Sequence, residues 1–175
     1  TGTGTPYSFI DTGRVGIGGV LTPAWNSKNV QYSEVISLTG GPIAFSYWMR
    51  PISGAHSSEL FKLQHTDVNT YIYFYFLGNG VDLHHWRFGT RAGFGTTAVS
   101  MVVGTTYAYW KHVTVSWDSG TASFYVDGRF LYAKPFSIMN GNYTILTTPG
   151  GRIHTLFDDL RIYDRALTQA DVDVL

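Results

Sequence analysis

The 175-residue sequence predicts an all-β domain of antiparallel strands arranged as a sandwich or barrel, and three observations carry that prediction. Twelve Tyr, eleven Phe, five Trp and twenty Gly stand against two Glu and four Lys. Aromatic side chains fit a pleated, half-buried surface, whereas Glu and Lys favour helices. Apolar residues alternate with a period of two in several short segments, the pattern of strands with one face in a core. Turn signals recur about every eight to twelve residues, the spacing of a sandwich or barrel.

Taken in order, residues 1–29 are the least patterned part. Gly13, Gly16, Gly18, Gly19 and Pro23 there predict an edge strand followed by a long loop. From Ile43 to Arg50, positions Ile43, Phe45, Tyr47 and Met49 share one face, and Pro51 ends the strand. Glu59 to His65 sets Leu60, Lys62 and Gln64 opposite Phe61 and Leu63. Thr70 to Leu77 alternates Tyr71, Tyr73 and Tyr75 with Ile72, Phe74 and Phe76, so both faces are apolar and one carries hydroxyls. Gly78-Asn79-Gly80 turns the chain and Val81 to Phe88 returns as the second arm of a hairpin. The glycines Gly89, Gly93 and Gly95 then predict an exposed loop. Trp110 to Trp117 turns Val113, Val115 and Trp117 inward; Asp118-Ser119-Gly120 and Asp127-Gly128 are turns on either side of a strand from Ala122 to Val126. Thr168-Gln169-Ala170-Asp171 has the spacing of a capping box and predicts one short terminal helical turn.

A formal net charge of zero, with no Lys/Arg cluster, supplies no basic field for nucleic acid or an acidic membrane surface, so neither is an expected partner. The absence of cysteine removes disulfide frameworks, thiolate zinc sites and thiol nucleophiles. No apolar run reaches the roughly eighteen residues of a membrane helix, so no membrane insertion is expected. The opening Thr1-Gly2-Thr3-Gly4-Thr5-Pro6 reads as the start of a mature or excised piece of something longer. The length fits a single domain over 1–175.

Three segments together resemble the laminin-G-like subset of the concanavalin A-like lectin/glucanase jelly rolls. Val35-Ile36-Ser37-Leu38 through Ile43 to Pro51 is similar to the family's opening strand pair with its aromatic "F-W-x-[KR]-P" ending. Trp110 to Asp118 with Phe124-Tyr125-Val126-Asp127-Gly128 is similar to its central hairpin, and Phe157 to Thr168 to its closing "I-D-D-[VL]-R-I-Y" strand. The likeness spans about residue 30 to the end. Residues 1–29 match poorly, apart from Phe9-Ile10-Asp11-Thr12-Gly13. It implies a concanavalin A-like jelly roll of two stacked antiparallel sheets and an extracellular or particle-surface setting, but the fold serves many functions and function must come from sites.

Hydrolases of this fold place an acid and a nucleophile carboxylate on one strand, as Glu-x-Asp-x-Glu. This chain has only Glu34 and Glu59, and strand alternation sets adjacent Asp158 and Asp159 on opposite faces, so no enzyme is expected. The resemblance also implies a structural Ca²⁺ near the sandwich rim, with Asp158 and Asp11 as ligands. Parity puts Asp158 on the face of Leu160 and Ile162, and the competing reading is that it caps a turn or pairs with Arg152. The six histidines show no ligand spacing, and His112 reads as architecture.

Sugar rings stack an apolar face on Trp or Tyr while their hydroxyls need polar partners. His84, Trp86 and Arg87, followed by Arg91, offer that mix, with Tyr73 and Tyr75 in the paired strand. If the tyrosine face and the Trp86 face coincide, the hairpin is an aromatic platform; the competing reading is core packing. The expected function is non-catalytic carbohydrate binding, with a glycan or polysaccharide as partner. The alternative is a structural module of a larger surface assembly, such as an adhesin or a virus particle decoration, burying its aromatics against neighbouring subunits; a glycoside hydrolase is a remote third.

Overall fold

A computed structural model describes the backbone of residues 9–10, 19–21, 30–51, 57–66, 70–78, 84–92, 95–102, 109–135, 138, 140–147 and 155–175. Side chains are described for 35–50, 62–66, 72, 109–135, 138, 140–144 and 158–175.

Thirteen strands are described: β1 (Phe9–Ile10), β2 (Gly19–Leu21), β3 (Val30–Leu38), β4 (Ile43–Pro51), β5 (Ser57–His65), β6 (Thr70–Gly78) and β7 (His84–Ala92), then β8 (Gly95–Val102), β9 (Lys111–Asp118), β10 (Thr121–Val126), β11 (Arg129–Pro135), β12 (Gly141–Thr147) and β13 (Thr155–Tyr163). One helical turn, α1 (Gln169–Val172), follows. The strands form two antiparallel sheets, seven in the order β1-β2-β13-β4-β9-β10-β11 and six in the order β3-β12-β5-β6-β7-β8. This is a jelly-roll sandwich. Among the described residues no helix is long and apolar enough to cross a membrane.

The core lies between the sheets. Phe45 and Met49 on β4, Val113 and Val115 on β9 and Phe124 on β10 meet Leu63 on β5, Ile72 on β6 and Tyr143 on β12. The alternation in β4 works as its sequence predicts, with Ile43, Phe45, Tyr47 and Met49 buried. Yet Ala44 and Ser46 between them are buried too, and β9 is buried at six consecutive residues from His112 to Trp117. The reason is the chain's end. Leu167 and Val172 pack with Ala44 and Tyr125 on the outer face of the seven-stranded sheet, and the Leu167 N–H donates to Ser116 Oγ at 2.8 Å.

Two tight turns shape the β9-β10-β11 meander. Ser119-Gly120 and Asp127-Gly128 have φ of 47°, 78° and 49°, 79°, the paired positive values of the two-residue turn that matches strand twist. The predicted helical turn is present with its capping box: Thr168 Oγ1 accepts from the Asp171 N–H, and the Asp171 carboxylate accepts from the Thr168 N–H.

Two sequence expectations are corrected. The predicted loop from Gly89 is corrected at both ends: Gly89 to Ala92 complete β7 and Gly95 opens β8, and residues 93–94 lie outside the described residues. Glycine weakens a strand intrinsically but is held here by ladders on both sides, to β6 and to β8. Asp158 does not share a face with Ile162. A bulge between Asp158 and Arg161 sets Asp158 level with Trp48 and Arg161 level with Ser46, whereas Ile162 stays level with the core residue Phe45. Asp159, at φ 49°, is part of that bulge.

Candidate functional site

The register of the six-stranded sheet sorts the aromatic hairpin into two sets of positions. Residues directly opposite in an antiparallel ladder belong to the same face, and alternate residues belong to opposite faces. Leu63 and Ile72 are paired and both fully buried, which marks the core set. Phe74 and Phe76 continue that set along β6, and they pair with Phe88 and Trp86, which pair in turn with Val99 and Met101. His84, level with Gly78, belongs to it as well.

The other set is Tyr71, Tyr73 and Tyr75 on β6, level with Arg91, Gly89 and Arg87 on β7, and then with Thr96, Ala98 and Ser100 on β8. On the β5 side the same positions pair with Gln64, Lys62 and Glu59, the last after a bulge that sets Leu60 out of step. Thr144 on β12 follows Gln64. The side chains of Lys62, Gln64 and Thr144 are half-buried, and Thr144 Oγ1 donates to the Gln64 carbonyl at 3.5 Å.

Of the expected sugar-binding residues, Tyr73, Tyr75, Arg87 and Arg91 therefore fall in the outer set, and Trp86 and His84 in the set that contains Ile72. The tyrosine face and the Trp86 face do not coincide. The side chains of these six residues lie outside the described residues. Tyr71 stands in the outer set with the rest of the tyrosine row read from sequence, and Lys62, Gln64 and Thr144 join it without having been singled out as site residues. Lys62 and Gln64 were visible in the alternation of Glu59 to His65, but only the strand pairing sets them beside the tyrosines.

On the seven-stranded sheet, His112 and Asp127 form a fixed junction. Asp127 Oδ1 accepts the His112 N–H at 3.1 Å, the Asp127 N–H donates to the His112 carbonyl at 2.8 Å, and the Lys111 ammonium pairs with the same carboxylate. The His112 ring lies 4.9 Å from the Trp48 ring. Burial lowers the imidazole's pKa, opposed by the carboxylates of Asp127 and Asp159 and reinforced by Arg161. His112 has the partners of a structural residue.

The implied calcium ligands divide. Asp11 lies outside the described residues. Asp158 Oδ1 accepts the Asp159 N–H at 2.9 Å, and Asp159 is paired with Arg161, whose Nε and Nη2 reach its two oxygens at 3.0 and 2.8 Å. Among the described residues no group of three His, Cys, Asp or Glu could hold a metal.

A cleft of about 560 Å³ opens between β3 and β13. Its walls combine Ile36, Leu38, Ile43, Leu160 and Ile162 with Ser37, Thr39, Tyr163 and Asp164, a mixed lining.

Two stacked antiparallel sheets, with a polar and aromatic set on the outer face of one, define a lectin-type jelly roll. Residues 25–173 match the family model Laminin_G_3, described as the concanavalin A-like lectin/glucanases superfamily, and the chain belongs to that family. Among curated proteins no sequence matches it. Similar solved structures include a native heptameric SAP-like pentraxin from Limulus polyphemus, at 13% identity and TM-score 0.62, covering 86% of this chain and 77% of that one. Domain 4 of AbnA, a GH43 extracellular arabinanase from Geobacillus stearothermophilus solved with arabinotriose, is similar at 15% identity and TM-score 0.62, covering 98% and 81%. The binding domain of botulinum neurotoxin DC in complex with SialylT is similar at 12% identity and TM-score 0.59 over 83% of this chain; the chain spans 41% of that structure. At these identities the likeness is one of fold.

Proposed function

We propose that this domain is a non-catalytic carbohydrate-binding module of an extracellular or particle-surface protein, and that it binds its glycan across the outer face of the six-stranded sheet. The observation that carries the reading is the ladder register, which puts three tyrosine positions level with two arginines, a lysine and a glutamine, opposite the buried set. Tyrosine rings receive the C–H face of a sugar, and the polar residues around them meet its hydroxyls. Two structures of similar fold were solved with arabinotriose and with SialylT, which supports a saccharide as the ligand class.

The test is a glycan and polysaccharide array probed with and without EDTA, followed by variants. Tyr73→Ala and Tyr75→Ala should each weaken binding of whatever sugar is found by at least about tenfold, near the loss of one good stacking contact, with an unchanged melting temperature. Trp86→Ala should instead destabilise the fold by the cost of a large core truncation, roughly 3–5 kcal/mol in denaturant unfolding. Full binding by the tyrosine variants, or release of reducing ends from the bound polysaccharide, would overturn the reading.

A further inference from the structure

The cleft between β3 and β13 opens where one sheet stops short of the other. The seven-stranded sheet continues past β13 to β2 and β1, whereas the six-stranded sheet ends at β3, which pairs with β12 alone. From Val35 to Leu38 that pairing is regular, its register shift lying nearer the start of the strand. A strand paired on one side leaves half of its peptide N–H and C=O groups directed away from its partner. In β3 that free edge is turned to the cleft. Val35, Ile36, Ser37, Leu38 and Thr39 line it in unbroken succession, and because successive side chains point to opposite faces, five consecutive residues line a wall only through the edge of the strand.

Beside this edge the cleft has an apolar floor and an acidic end. Leu160 and Ile162 line it and pack against the core cluster that contains Leu38 and Ile43. Asp164, exposed just past β13, lines it as well, and no lysine, arginine or histidine is among the described lining residues. The Arg165 guanidinium next to Asp164 hydrogen-bonds to the Asp171 carboxylate and the Ala166 carbonyl, and Asp164 acts on it through space. Nor is the edge blunted in the usual way. Lysine and proline on an edge strand discourage further pairing; β11 ends in both, whereas Val30–Leu38 has neither.

We infer that the cleft is a docking site for an extended peptide of another protein, which adds to β3 as a seventh strand, lays alternate aliphatic side chains on Leu160 and Ile162, and turns a lysine or arginine to Asp164. Strand addition supplies main-chain hydrogen bonds for affinity and pockets under alternate side chains for specificity. A purely apolar molecule would cover the peptide groups of the edge without satisfying them, which is unfavourable. The surface is separate from the outer face of β5 to β8.

The test is selection of phage-displayed random heptapeptides on the folded domain, followed by titration of a synthetic copy of the enriched peptide. Enriched sequences should carry aliphatic residues at alternate positions and a basic residue towards one end. Two further copies are N-methylated on one or the other alternate set of amides. One of them should bind at least about tenfold more weakly and the other nearly as well as the parent, because only one edge of an added strand pairs. Asp164→Asn should weaken binding about twofold to fivefold, the worth of an exposed ion pair, and Asp164→Lys by more, both with an unchanged melting temperature. Tyr73→Ala on the other sheet should leave peptide binding unchanged. No enrichment, equal binding by the two methylated copies, or full binding by the Asp164 variants would overturn the inference and leave the carbohydrate reading untouched. Dimerisation of the domain that the enriched peptide reverses would assign the edge to a second copy of this chain and would also overturn it.

Discussion

At Gly141 the backbone has φ 147°, a region that side-chain-bearing residues rarely adopt, and a Cβ built there would lie 2.0 Å from His65 Nε2, a severe clash. The ring is held in place: His65 Nε2 lies 3.2 Å from the Asn140 carbonyl, and the ring stands edge-on to Tyr143 at 5.0 Å. Gly141→Ala should therefore cost at least about 2 kcal/mol in urea unfolding. Adding His65→Ala should recover part of that loss by removing the clash, and the remainder belongs to the strained backbone. His112 supplies a pH dependence. Its pKa is lowered in the folded protein, so the unfolded chain takes up the proton first as pH falls. The associated stability is full above the ordinary histidine value near 6.5 and declines as pH drops below it. The urea midpoint should fall between pH 7.5 and 5.5, and in His112→Gln that fall should be smaller.

Among the elements, α1 shows how a marginal helix can matter. A four-residue helix has no stability of its own, yet the segment around it buries Leu167 and Val172 on the outer face of the seven-stranded sheet. Its capping box and the Arg165–Asp171 ion pair, at 2.8 Å, hold it there. Thr168→Ala should cost about 1 kcal/mol, as cap losses do. Ser116→Ala should cost roughly 1–3 kcal/mol, because it strands the buried Leu167 N–H. Both are read from denaturant midpoints. The edge strand β11 shows the opposite economy. Its pairing with β10 skips Leu131, so the strand is bulged, and it ends in Lys134 and Pro135. Phe130 and Leu131 are 51% and 41% exposed on it, but a bulge, a lysine and a proline are the devices that keep an edge from pairing with another chain.

For the whole molecule, the fold class was legible because a sandwich is written locally: the alternation in β4, the turn residues of the β9-β10-β11 meander and the capping box all follow from nearest neighbours in the chain. Where reading failed, a long-range partner overrode a local preference. Gly89, one of the glycines that signal a loop, lies in β7 because β6 and β8 flank it, and Ser46 and Ser116 are buried where Tyr163 and Leu167 return to meet them. The candidate site was half legible. Each strand's two faces could be listed from sequence, but which face of β6 matches which face of β7 depends on register, and a shift of one residue exchanges the sets. The sequence alone therefore determined that this is an all-β jelly roll with an aromatic hairpin and without a Glu-x-Asp-x-Glu motif. Only the tertiary structure decided that Tyr73, Tyr75, Arg87 and Arg91 stand together while Trp86 belongs with the core set, and that Asp158 leaves the core face at a bulge. Composition and periodicity are properties of one segment, whereas register and bulges exist only between two.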